Sequence, residues 1–318
     1  MGVLAFLCLL TGLLGGNALF GDEVSDPGPE SYRLINPTIK PDDPQSGRNP
    51  HFRSFKYKVV ELVDEKLALK DVLHISVYYR DLNNGPSFGI NATEDFVPAS
   101  LLKVPLMMAY FKQAETRPEI LSEKVRYEGP TKKYDIEQYI VPVESLKKGR
   151  SYTREDLIRR MISYSDNEAA FLLYRKSYLD RVFEDLGMLT PGARTPRGMI
   201  SVREYASFFR VLYNASYLNA PMSEKALGHL SQTNFKRGLA AEVPREVPVA
   251  HKFGESDHKG DKQLHDCGIV YYPGRPYLLC VMTRGDDFSQ LEGIIQALSA
   301  LMYDEVGQQM RSSQPPRP

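Results

Sequence analysis

Ser100 stands three residues before Lys103 at the head of an apolar run, Asp95-Phe-Val-Pro-Ala-Ser-Leu-Leu-Lys-Val-Pro-Leu-Met-Met-Ala-Tyr-Phe111. On a helix, residues three apart share a face, so an amine would lie beside a hydroxyl. The hydroxyl would also sit at the positive end of the helix dipole. An alcohol is a weak nucleophile until a neighbouring base takes its proton, and this pairing supplies the base. The same spacing recurs at Ser145/Lys148 and Ser256/Lys259. Those two pairs lie in charged, Gly-containing segments with no apolar helix behind them, and chance accounts for them.

Two more clusters follow in order. Ser165-Asp166-Asn167 comes at the end of an expected helix; alone, it would be an ordinary turn, since all three residue types favour turns. His251-Lys252-Phe253-Gly254 falls on an expected strand, where a lone lysine is ordinarily a sheet-edge residue. Together they offer a nucleophile with its base, a second hydroxyl able to pass a proton, and a fixed cation. A competing reading is a metal site. His251, His258 and His265 recur at spacing seven, with Asp257, Asp261, Asp266 and Cys267 nearby. However, His258–Leu264 reads as a polar connection between strands, where such side chains are solvated, so neither a metal nor another cofactor is expected.

The elements that must position these residues can be read from periodicity. Residues 54–70 place Tyr57, Val60, Leu62, Val63 and Leu67 at helical spacing. Val72–Leu82 alternates as a strand, Asn83-Asn-Gly-Pro86 turns, and Ser87–Asn91 returns. After the Ser100 helix come about 35 residues that read as irregular. Thr153 caps a helix to about Ser163, a further helix spans Glu168–Leu186, and Ser201-Val-Arg-Glu204 is a capping box. Ser223 is expected to cap another helix. Val247–Glu255, Asp266–Tyr272 and Tyr277–Thr283 read as strands and Phe288–Val306 as a closing helix. Sheet segments at both chain ends with helices between imply an α+β domain with a cleft between two lobes.

Composition narrows the partners. The chain has 318 residues, and its 40 basic and 40 acidic side chains cancel without forming a charge block, which argues against nucleic acid. Cys267 and Cys280 lie in adjacent strands; both a disulfide and buried free thiols fit, and free thiols are the expectation. Residues 3–20 carry no charge, and Gly16-Asn17-Ala18 offers a small-x-small cleavage pattern, although a cationic lead-in is missing. Cys8 follows Leu7 rather than a small residue, which argues against a lipoprotein site. The expectation is an exported protein, periplasmic or at the cell surface, with residues 1–20 as signal peptide or membrane anchor. Residues 21–53 are Pro-rich and read as a disordered linker.

The three clusters and their order resemble the serine β-lactamase and penicillin-binding protein superfamily, with its motifs S-x-x-K, S-D-N and K-T-G, and most closely its class A β-lactamase-like members. The likeness runs from about Ser54 to Val306 and includes GRSYTREDLIRRMISYSDNEAA, TPRGMISVREYASFF and VAHKFGE. It implies a five-stranded antiparallel sheet flanked by helices, from residues 54–95 and 245–306, plus an all-helical lobe over 96–244; the polar, Pro-rich residues 307–318 read separately as a disordered tail. It implies Ser100 as nucleophile, Lys103 as base and Ser165 as proton relay. Asn167 would hold Lys103 or the substrate amide. Lys252 would supply positive potential for a substrate carboxylate, and Gly254 would let the strand approach the ligand. The backbone N–H groups of Ser100 and Glu255 would form the oxyanion hole. The implied partner is a small-molecule β-lactam or a peptidoglycan-like peptide, met by a monomer.

Two departures qualify the likeness. The third motif reads Lys-Phe-Gly, so Phe253 replaces a hydroxyl residue and one hydrogen bond to a substrate carboxylate is lost. The segment Gly187–Gly198, where class A enzymes carry a water-activating Glu, holds no carboxylate, and Glu224-Lys-Ala-Leu227 matches only in part. The sequence therefore points to a serine hydrolase forming an acyl-enzyme on β-lactams or related acyl amides, with hydrolysis of that intermediate slowed. The alternatives are a D,D-peptidase acting on peptidoglycan stem peptides and a non-catalytic binder or sensor that keeps the fold.

Overall fold

A computed structural model describes residue 34 and residues 50–83, 85–130, 138–190, 199–258 and 260–312. The expected leader at 1–20 and the expected linker up to residue 49, Leu34 excepted, lie outside the described residues. Helix α1 (Pro50–Leu67) leads into strands β1 (Val72–Asp81) and β2 (Ser87–Ile90). The helical lobe follows. It holds β3 (Asp95–Phe96), α2 (Lys103–Ala114), β4 (Lys124–Arg126), β5 (Ser151–Thr153), α3 (Arg154–Ser163), α4 (Asn167–Leu173), α5 (Lys176–Asp185), β6 (Ile200–Ser201), α6 (Val202–Tyr213) and α7 (Ala220–Ser231). The chain then returns through β7 (Val249–His258), β8 (Asp261–Val270) and β9 (Tyr277–Gly285), and closes with α8 (Phe288–Ser312).

The five long strands form one sheet in the order β2-β1-β9-β8-β7, antiparallel throughout. The expected α+β fold with a five-stranded antiparallel sheet is therefore present. Alternation along each strand divides two cores. On β9, Tyr277, Leu279 and Val281 pack with α1 and α8, whereas Leu278, Cys280 and Met282 face the helical lobe. Within that lobe α2 is apolar almost all round and buried along most of its length, as suits a helix surrounded by other helices.

Several local expectations need correction. The buried stripe of α1 is Phe52, Phe55, Val59 and Val63, and Tyr57 is exposed, because the helix starts at Pro50 and its first two apolar residues set the face. The region expected to be irregular after α2 contains the β4–β5 pair. The span Glu168–Leu186 is two helices, broken at Tyr174–Arg175. Asn219, not Ser223, caps α7: its side chain accepts the Met222 N–H, and Ser223 is buried one turn inside. Strand β8 begins at Asp261, because pairing with β7 continues to His258 and converts the expected polar connection into ladder. The final helix runs to Ser312, six residues past the expected end at Val306, so residues 307–312 are not a disordered tail; buried Val306 and Gly307 hold it to the body. The Thr153 cap and the Ser201–Glu204 capping box form as expected.

Cys267 and Cys280 are disulfide-bonded, which overturns the expectation of free thiols. They lie directly opposite each other on β8 and β9, fully buried on the face toward the helical lobe. Leu34 is also buried: its N–H donates to Glu224 at 2.8 Å, and its carbonyl accepts from the Tyr271 hydroxyl at 2.7 Å.

Candidate active site

Ser100 lies in a 3-10 turn, Ala99–Leu102, which precedes α2, rather than in the first turn of an α-helix. Two constraints place it there. Ala99 adopts φ 47°, a backbone conformation that non-glycine residues enter only when their surroundings force it. Strand β7 then presses on the same turn at Gly254, where an added Cβ would meet Pro98 O at 3.0 Å and Leu101 N at 3.2 Å. Ser100 is half-buried, and its hydroxyl has no hydrogen-bond partner among the described residues.

Lys103 is buried and donates to three acceptors: the Ser165 carbonyl at 2.7 Å, the Ser165 hydroxyl at 3.1 Å and Asn167 Oδ1 at 2.7 Å. Ser165 reaches this position with φ 55°, between the end of α3 and the start of α4. Asp166 fixes the junction by capping α4 through the Ala169 N–H at 3.0 Å. From the other side, Lys252 on β7 donates to the same Ser165 hydroxyl at 2.9 Å and to the Phe253 carbonyl at 2.8 Å. The Ser165 oxygen thus receives N–H groups from both amines. With both lone pairs engaged, the hydroxyl proton is left to donate.

The electrostatics follow from burial. Desolvation brings the Lys103 pKa down to about 7, with Asp166 and Glu255 opposing the fall. Lys252 is lowered well below the ordinary lysine range by desolvation and then by the Lys103 charge. Glu255 is raised, chiefly by burial; its carboxylate accepts the Ile140 N–H at 3.1 and 3.2 Å.

The structure therefore joins Lys103, Ser165, Asn167 and Lys252, and places Ser100 one turn away. Lys252, expected to supply positive potential for a substrate carboxylate, has no route for direct contact with one in this arrangement. Lys252 is fully buried, and the ring of Phe253 lies 3.9 Å from its ammonium. That ring is itself 2% exposed and packs on Phe235 at 4.7 Å. Of the other Ser-x-x-Lys pairs, Ser256 lies on β7 and Lys259 falls outside the described residues, while Ser145 precedes β5. Glu224 is held by the Leu34 N–H on α7. Most of Gly187–Gly198 lies outside the described residues.

The metal candidates disperse. His251 pairs with Asp266 at 2.9 Å in full burial, His265 bonds the Val97 carbonyl at 3.1 Å, and His258 is exposed at the end of β7. Among the described residues no group of three or more His, Cys, Asp or Glu side chains could hold a metal ion.

Two clefts, each of about 380 Å³, flank the cluster. One is lined by Lys103 and Asn167 with Leu102, Leu106, Ala170 and Phe171. The other is lined by Tyr164 and Phe253, the sequence neighbours of Ser165 and Lys252, and by the segments 139–143 and 234–237. No sequence signal marked this second cleft, because it is built from two irregular segments.

A profile described as the Beta-lactamase enzyme family matches residues 60–306. The chain belongs to this family. Solved structures agree on the fold. A β-lactamase from Chitinophaga pinensis is 21% identical, with a TM-score of 0.66 over 80% of this chain and 99% of that one. PBP-A is 21% identical, with a TM-score of 0.65 over 85% and 100%. The TLA-3 extended-spectrum β-lactamase is 16% identical, with a TM-score of 0.68 over 79% and 98%. No curated protein matches the chain.

Proposed function

We propose that this member of the β-lactamase family is a serine hydrolase that forms an acyl-enzyme at Ser100 with β-lactams or related acyl amides. The observation that carries this reading is the Ser165 hydroxyl shared by Lys103 and Lys252. Neutral Lys103 has two hydrogens and one lone pair, so it gives up one of its three donations and can accept a proton. It takes the proton of Ser100 as Oγ bonds to the acyl carbon. The N–H groups of Ser100 and Glu255 receive the developing oxyanion, and the approach of β7 at Gly254 supports that role. Ser165 donates its proton to the leaving nitrogen and recovers one from Lys103. Lys252 keeps the Ser165 oxygen electron-poor and so makes it the better donor. Water then releases the acyl group from Ser100.

That last step is the slow one. Gly187–Gly198 holds no carboxylate, so acylation outpaces hydrolysis. This favours, as the second reading, a penicillin-binding D,D-peptidase. The buried disulfide and the uncharged stretch at 3–20 support export to an oxidising compartment. Intact-mass spectrometry with a labelled penicillin tests both readings. A one-to-one adduct that Ser100→Ala abolishes is expected. An adduct lasting hours supports the penicillin-binding reading, rapid turnover an efficient lactamase, and no adduct a binder without chemistry.

A further inference from the structure

Two buried amines meet at the Ser165 hydroxyl, and only one of them can serve as the base. Burial presses both toward the neutral form, and the charge of Lys103 presses Lys252 further. Charges this close titrate as a pair, so the first proton lost relieves the amine that keeps its own. The surrounding carboxylates then weigh on the outcome. Glu255 on β7 acts on both amines, and Asp166 acts on Lys103. Asp266 on β8 acts on Lys252.

Asp266 is fully buried on the face of the sheet turned away from the cluster. Its carboxylate is held by His251 Nδ1 at 2.9 and 3.0 Å and by the Leu239 N–H at 2.9 Å. His251 Nε2 is buried with no hydrogen-bond partner among the described residues. An imidazolium there would leave a charged N–H unsolvated, so the ring is a neutral donor through Nδ1 and the pair keeps one negative charge. The fit is close. The carboxylate leaves no room for a Cβ at Gly238, and Thr233 Oγ1 donates to the His251 carbonyl at 2.7 Å. An apolar pair could fill this space without burying a charge.

Strand register sets that charge beside Lys252. Lys252 pairs with Cys267 and Phe253 with Asp266, so amine and acid are neighbours on adjacent strands with side chains on opposite faces. They do not touch, and Asp266 acts through the sheet by its field, in an interior where charges are weakly screened. Lys236 and the Tyr205 phenol on α6 feel the same acid.

We propose that Asp266 is a positioning residue for a proton: held as a carboxylate by His251, it keeps Lys252 an ammonium while Lys103 gives up its proton and acts as the base. This role rests on acyl transfer at Ser100, but its test reads the protons directly.

Full-length protein with isotope-labelled lysines is titrated by NMR, and the two Nζ signals are assigned by their absence in Lys103→Met and Lys252→Met. In the wild-type protein Lys103 is expected to lose its proton first and Lys252 at higher pH. The opposite order would overturn the proposal. Asp266→Asn removes the charge, and its carbonyl oxygen can still accept from His251 and Leu239. The variant should move the Lys252 titration down by about one pH unit. It should also make acylation fall on the alkaline side, where the wild-type rate is level. Thr233→Val removes a hydrogen bond from the same clasp but no charge, so it should lower the urea midpoint and leave the Lys252 titration in place. An unmoved Lys252 titration in Asp266→Asn, or an equal shift in Thr233→Val, would overturn the proposal. The NMR titration needs no acyl donor, so its result is separate from whether penicillin acylates Ser100.

Discussion

The Phe253 ring lies 3.9 Å from the Lys252 ammonium, and it replaces a hydroxyl with an aromatic cap. A face of that kind attracts the cation and shields it from an approaching anion. Phe253→Thr should expose Lys252 and offer a new hydroxyl. The second-order rate constant for acylation by a carboxylate-bearing penicillin is expected to rise, by about tenfold. Stability should fall by about 3 kcal/mol, because the packing against Phe235 is lost. Stopped-flow acylation and urea unfolding measure the two effects separately.

In the proposed mechanism Lys103 is the base and sets the pH dependence. It acts as a base only when neutral, and burial brings its pKa to about 7. The acylation rate should therefore climb from pH 6 to pH 8 and level off above, the rise reporting loss of the Lys103 proton. A rate that is flat across this range, measured with a substrate that does not titrate there, would remove Lys103 as the base. Lys103→Ala should abolish acylation.

Ser165 is the meeting point of two amines, so its loss touches both. Ser165→Ala is expected to slow acylation about 10²–10⁴-fold, the usual range for a lost proton-transfer group. The slowing should be greatest for poor leaving groups, because protonation of the leaving nitrogen matters most there. A series of aryl esters and anilides with graded leaving groups would reveal this as a steeper dependence in the variant.

Gly254 lets β7 touch the Ser100 turn. Gly254→Val would drive a side chain into Pro98 O and the Leu101 backbone. The expected outcome is a loss of acylation of about 10²-fold, since a displacement near 1 Å can cost that much. The intact-mass assay reads the rate, and far-ultraviolet circular dichroism checks that the fold persists.

The Cys267–Cys280 bond joins two strands already paired. Replacing both cysteines with serine should lower the unfolding free energy by about 2–4 kcal/mol. Native protein should resist reductant, because both sulfurs are fully buried. Urea unfolding of the double variant, and thiol titration of native protein in reductant, test these two statements.

Much of this arrangement was legible in the residues. Ser100, Lys103, Ser165, Asn167 and Lys252 announce themselves by type and order, and the Thr153 and Ser201 caps by local chemistry. What escaped depended on contacts between distant segments. Neither Ala99 nor Ser165 looks strained in sequence, since surrounding structure imposes their positive φ. The helix break at Tyr174–Arg175 carries no Gly or Pro. The disulfide needed the register of β8 on β9, which fixes Cys267 opposite Cys280. The contact of the Phe253 ring with the Lys252 ammonium depends on how β7 is buried, which residue types alone do not carry.

Strand β1, from the first third of the chain, pairs with β9, from the last sixth. The sheet is thus sewn from the two ends of the molecule, and loop closure over such a span is slow. A chain growing from its N-terminus would complete the Ser100 turn and α2 long before β7 exists. Ser100, the proposed nucleophile, therefore waits for Lys252 until the final strands arrive. A truncated chain ending before β7 carries Ser100 and Lys103 but lacks the second amine, so the proposed chemistry would be withheld until the fold is closed.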